Sequence, residues 1–106
     1  MKTVTRYWYS DPGHSWLKVK YSELEKLGIQ CDISSFSYRN GDTIFLEEDC
    51  DAGKYIVAMN KADKALYFKT GSHSNRMSRV RNYASYYFNM PMGTLIAGDS
   101  MKKENV

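Results

Sequence analysis

Three groups of side chains in this sequence could do chemistry. The first is the acidic run Glu47-Glu48-Asp49-Cys50-Asp51. Clustered carboxylates suit a hard divalent cation, and Glu48, Asp49 and Asp51 with a histidine would be the ligand set of a small metal-dependent hydrolase. The run also falls between an expected strand and an expected helix, where acidic side chains satisfy the free N–H groups of a first turn and complement its dipole. It lacks calcium-loop spacing and has no histidine close in sequence, so capping is the simpler account and no metal is expected. Glu47, Glu48 and Asp49 could also form an acidic contact patch for a basic partner.

The second group is Asp11, His14 and His73. Acid–base work needs a positioned partner, and the sequence supplies none. His14 follows Asp11-Pro12-Gly13, a turn signal, and is expected at the surface. Cys50, flanked by acids, should have a raised thiol pKa, which argues against a nucleophile. No catalytic motif or cofactor motif is present, and a non-enzymatic protein is expected.

The third group is basic and aromatic. Arg76, Arg79 and Arg81 precede Tyr83, Tyr86, Tyr87 and Phe88. Guanidinium forks suit phosphates and carboxylates, and phenol rings can stack on bases or anchor a protein interface. On a helix Arg79, Tyr83 and Tyr86 would share one side. The alternative is that the tyrosines are core and the arginines only solvate the outside.

These groups need elements to hold them. Val4–Tyr9 and Trp16–Lys20 read as strands about the Asp11-Pro12-Gly13 turn, the second alternating Leu17 and Val19 against Lys18 and Lys20. Ser22 and Glu25 form a capping-box pattern for a short helix over 22–27, and Gly28 sits where such a helix would end. Residues 33–39 and 42–47 read as a hairpin about Asn40-Gly41, with Arg39 opposite Asp42 and Phe36 opposite Phe45. Ala52, Tyr55, Ile56 and Met59 predict a helix over 51–62, and 65–70 reads as a last strand. Val80, Tyr83, Ala84 and Tyr87 repeat the helical spacing and predict a third helix over 78–88, stopped by Pro91. The expected fold is α+β, a mostly antiparallel sheet of four or five strands with two or three helices, in the order β-β-α-β-β-α-β with an optional closing helix. Residues 1–93 should form one domain, and 94–106 a partly disordered tail.

The chain has 106 residues, 42% of them hydrophobic and 25% charged, a globular composition with an excess of tyrosine, nine in all. Net charge is +3, unevenly spread: residues 1–53 carry −3 and 54–106 carry +6, which points to an interaction surface in the second half or to attraction between the halves. The first residues have no secretory apolar region and no stretch is long enough to span a membrane, so a cytoplasmic protein with Cys31 and Cys50 reduced is expected.

The strings Ser10-Asp11-Pro12-Gly13-His14-Ser15-Trp16-Leu17-Lys18-Val19, Leu46-Glu47-Glu48-Asp49-Cys50-Asp51-Ala52 and Ser78-Arg79-Val80-Arg81-Asn82-Tyr83 resemble a family of small bacteriophage- and plasmid-encoded proteins, over roughly residues 4–83. The resemblance carries no activity. It implies a modulator of host machinery, with antagonists of defence systems such as CRISPR among the forms this takes. The expectation is therefore a binding protein that occupies a host protein or a protein–nucleic-acid complex. Its expected contacts are Arg76, Arg79, Arg81, Tyr83 and Tyr86, with Glu47, Glu48 and Asp49 as a second patch. A nucleic-acid binder using 76–87 and the metal-dependent hydrolase are the alternatives.

Overall fold

A computed structural model of the chain describes residues 2–87. They form an α+β fold around one mixed sheet of six strands. These are β1 (Lys2–Ser10), β2 (Ser15–Lys20), β3 (Tyr38–Asn40), β4 (Thr43–Glu47), β5 (Lys64–His73) and β6 (Ala84–Ser85), in the spatial order β5-β1-β2-β4-β3-β6. Two α-helices, α1 (Tyr21–Leu27) and α2 (Gly53–Lys61), cover one face. Four of the five strand pairs are antiparallel, and β5 runs parallel to β1. The sheet is larger than expected and partly parallel. A parallel neighbour needs a crossover, and α2 supplies it.

The inner face is built by period-two alternation. Leu17, Val19, Ile44 and Leu46 point to the helices and are buried against Leu24, Ala52, Tyr55 and Met59. Each large aliphatic group so buried contributes about 1.5–3 kcal/mol. α1 starts at Tyr21, one residue before the expected range, and its capping pair lies two residues earlier than Ser22 and Glu25: Glu23 reaches back, its Oε2 accepting from the Lys20 N–H at 2.9 Å. It ends as expected at Gly28, which is left-handed at φ 73, and the Ile29 N–H closes the end by donating to the Leu24 carbonyl. The second helical stretch begins with a wide π turn, Glu48–Ala52, that runs into α2.

The hairpin differs from expectation by one residue. Asn40 pairs with Thr43 and Tyr38 with Phe45, so the two turn residues are Gly41 and Asp42. Gly41 has φ 63, matching a turn with glycine at its first central position, and Asn40 stays in the strand. Residues 33–37 form no strand. Ile33 is buried in the inner core, whereas Phe36 is 67% exposed.

The expected third helix does not form. Ser78 caps a single 3₁₀ turn, Arg79–Asn82, and the chain then enters β6. Val80 and Tyr83 pack on the outer face against Trp16 and Phe45. β6 pairs with β3, and Tyr86 turns into the inner core, where it is fully buried. The helical spacing of Val80, Tyr83, Ala84 and Tyr87 was coincidental: Val80 and Tyr83 pack on the outer face, whereas Ala84 and Tyr87 are exposed. The expected tail, from residue 94, lies outside the described residues. Among the described residues no helix is long and apolar enough to cross a membrane.

Candidate functional site

The outer face of the sheet is only partly covered, and its open part is chemically uniform. Pairing aligns Lys69 with Tyr7, Tyr7 with Lys18, Lys18 with Phe45 and Phe45 with Tyr38, one row across five strands. In the adjacent row Tyr67 pairs with Thr5. Tyr7 and Tyr67 are 42% and 56% exposed. Lys69 is exposed, and Lys18 Nζ lies 5.6 Å from the centre of the Tyr9 ring. Outward positions of β1, β2 and β5 carry no carboxylate. Gly71 makes the close approach of β5 to β1 possible at a bulge, since a Cβ there would come within 2.7 Å of the Tyr9 ring.

At one end this face meets a pocket of about 350 Å³, lined by His14, Trp16, Phe36, Tyr38, Glu47 and Asp49 among others. Four segments build it, at His14 and Trp16, Phe36 and Tyr38, Glu47 to Cys50, and Arg81, and all but the second fall within the strings quoted for the resemblance. Asp11 is the clasp. Its Oδ1 accepts from the backbone N–H groups of Gly13 and His14, at 2.9 and 3.0 Å, and its Oδ2 from that of Ser78 at 2.8 Å. Arg81 adds a bidentate pair at 2.7 and 3.0 Å. The hydrogen bonds from Arg81, then those from the backbone, hold the Asp11 carboxyl well below the usual range. The Arg81 guanidinium also lies 5.2 Å from the centre of the Trp16 ring.

Glu47 is the cap of the second helical stretch. Its Oε1 accepts from the N–H groups of Asp49 and Cys50, at 2.8 and 2.9 Å, and its Oε2 lies 3.1 Å from His14 Nδ1. Capping therefore accounts for half of this carboxylate, and a histidine 33 residues away in sequence accounts for the other half. Desolvation, then the hydrogen bond to Glu47 and the nearby acids Asp51 and Asp49, push the Cys50 thiol up. Cys31 and Cys50 are both exposed and free.

The expected contact residues do not come together as one surface. Tyr86 is interior: its hydroxyl donates to the Gln30 carbonyl, and burial pushes its phenol up to about 12. Tyr83 is half-buried against Phe45, with ring centres 5.3 Å apart. Arg81 is committed to Asp11. Arg76 and Arg79 are exposed, but the shared helical side that was to join them to tyrosines does not exist. Of the acidic patch, Glu47 is buried while Glu48 and Asp49 are exposed. The hydrolase set also separates, because Asp51 is fully buried. It accepts from the Ser34 N–H and hydroxyl, the Ser37 hydroxyl and Lys54 Nζ. Reading the sequence missed His14 as the neighbour of Glu47, and it missed Tyr7, Lys18 and Lys69 as one row with Tyr67 in the next. Strand alternation carried the signal for the row, but only with the strand order known.

Comparison with known protein families, with curated proteins and with solved structures gives no match.

Proposed function

We propose that the protein is a non-enzymatic binding protein that occupies a host nucleoprotein, with the open outer face lying on single-stranded nucleic acid. The observation that carries this reading is the row Lys69, Tyr7, Lys18, flanked by Tyr67, on strands whose outward positions bear no carboxylate. Exposed rings on a sheet suit unstacked bases, and ammonium groups between them suit the phosphates. A rigid sheet holds both at fixed spacing, so little side-chain order is lost on binding. The contact surface is thus moved from 76–87 to β1, β2 and β5. An inhibitor of a host defence complex is the form of this reading that the resemblance suggests, and a cytoplasmic site of action goes with it.

Fluorescence anisotropy of the full chain with labelled single-stranded RNA and DNA tests the reading. Binding should weaken steeply between about 50 and 200 mM salt, because phosphate contacts release counterions. A duplex of the same sequence should bind more weakly, since its bases are unavailable for stacking. No binding to any single strand at the lower salt would remove the proposal.

A further inference from the structure

We propose that the pocket at the end of the outer face binds a divalent transition-metal ion through His14, Glu47 and Asp49. One ligand atom from each of the three lies within 4.8 Å of the others, and His14 Nδ1 is 3.1 Å from Glu47 Oε2. Ligand atoms around an ion with bonds of about 2.0–2.2 Å stand roughly 3 Å apart, so small rotations of the exposed His14 and Asp49 close the set. The supports are already in place. Asp11 holds the backbone of the turn that presents His14, and two backbone N–H groups orient Glu47. Such outer contacts are what aim metal ligands.

A second observation is independent of the cluster. Trp16 forms part of the wall of the same pocket, is 1% exposed, and its indole N–H has no acceptor among the described residues. A buried donor without a partner calls for an oxygen, and a water or carboxylate oxygen on a bound ion would supply one. The charges also balance. Two carboxylates match a dication, and Arg81, the cation in the wall, is matched by Asp11. One imidazole with two carboxylates suits zinc or manganese better than calcium, which takes oxygen ligands throughout. Three protein ligands leave the remaining positions open to solvent.

The test is calorimetric titration of the full chain with zinc, manganese and calcium chloride. It is run in a Cys31→Ser, Cys50→Ser background so that the free thiols bind nothing. Zinc or manganese should bind at one site, and His14→Ala and Asp49→Asn should each weaken it at least tenfold while the ion-free proteins still unfold in one cooperative transition. Glu47 is left intact because it also caps the helical stretch, and His73→Ala serves as the unaffected control. In a nuclear magnetic resonance spectrum manganese should broaden the Trp16 indole N–H signal before that of Trp8. Absence of saturable binding, or unchanged binding in both His14→Ala and Asp49→Asn, overturns the assignment. The site does not depend on nucleic-acid binding, so loss of either proposal leaves the other standing.

Discussion

The two faces of this sheet treat charged groups differently. On the helical side every charged group that goes inward is consumed. Asp51 is saturated by two serines and Lys54, and Glu23 takes hydrogen bonds from Arg6, the Tyr55 hydroxyl and the Lys20 backbone. Burial, then the hydrogen bond to Glu23, push the Tyr55 phenol far up, so it stays a donor. On the outer side, past the Asp11 clasp, rings and ammonium groups face solvent and an indole N–H goes unmatched. A charge with all its partners inside the fold stabilises the fold, and a group left without them is available to a ligand.

This contrast can be broken experimentally, and the largest effect belongs to the inner face. Asp51→Ala should cost about 3 kcal/mol by urea denaturation, because it leaves two serine hydroxyls and the part-buried Ser34 N–H without their acceptor. Arg81→Ala should cost about 2 kcal/mol, less than a fully buried pair because the guanidinium is partly solvated. It also bears on pH dependence. The folded Asp11 carboxyl titrates below its unfolded value, so its contribution is present above about pH 4 and is lost as pH falls further. Acid melts should show wild-type stability falling steeply below that point, and Arg81→Ala falling less steeply.

The outer face should behave in reverse. Tyr7→Ala should change stability by only about 0.5 kcal/mol yet weaken single-strand binding by about tenfold, the loss of one stacked base. The smallest effect is expected from Lys18→Gln with Lys69→Gln. The pair should lower affinity a few fold at low salt and flatten the logarithmic salt slope by about 1.4, from two phosphate contacts. If Tyr7→Ala instead unfolds the protein, the two faces are not divided in the way described.

Strands β1, β2 and β4 were legible from local signals, β-branched and aromatic residues in β1, alternation in β2 and the turn beside β4, and so were both α-helices, α1 from its capping pattern, Leu24, Leu27 and Gly28, and α2 from apolar residues at i, i+3 and i+4. The parallel pairing of β5 with β1 was not, since register across some sixty residues leaves no mark in spacing. The hairpin slipped by one because Asn40-Gly41 and Gly41-Asp42 are both acceptable turn pairs and only cross-strand packing chooses between them. The third helix failed because only Val80 and Tyr83 of the helically spaced set are packed, both on the outer face, while Ala84 and Tyr87 are exposed and the buried Tyr86 lies outside the pattern. At the site, capping by Glu47 was readable from the acids before α2. The approach of His14 was not, because it depends on where the β1–β2 turn lands relative to the end of β4.

The path of residues 78–86 has a consequence for synthesis. This stretch crosses the exposed side of β3, contributing Val80 to one apolar layer and Tyr86 to the other, and carries Arg81 back to Asp11. A chain emerging from the ribosome can complete neither layer until residues 78–86 are out. Until then β3 has no β6 beside it and offers its unpaired backbone to any passing strand. Folding of this domain therefore waits for residues 78–86, and a stop codon placed before residue 78 should yield an aggregating fragment rather than a smaller version of the fold.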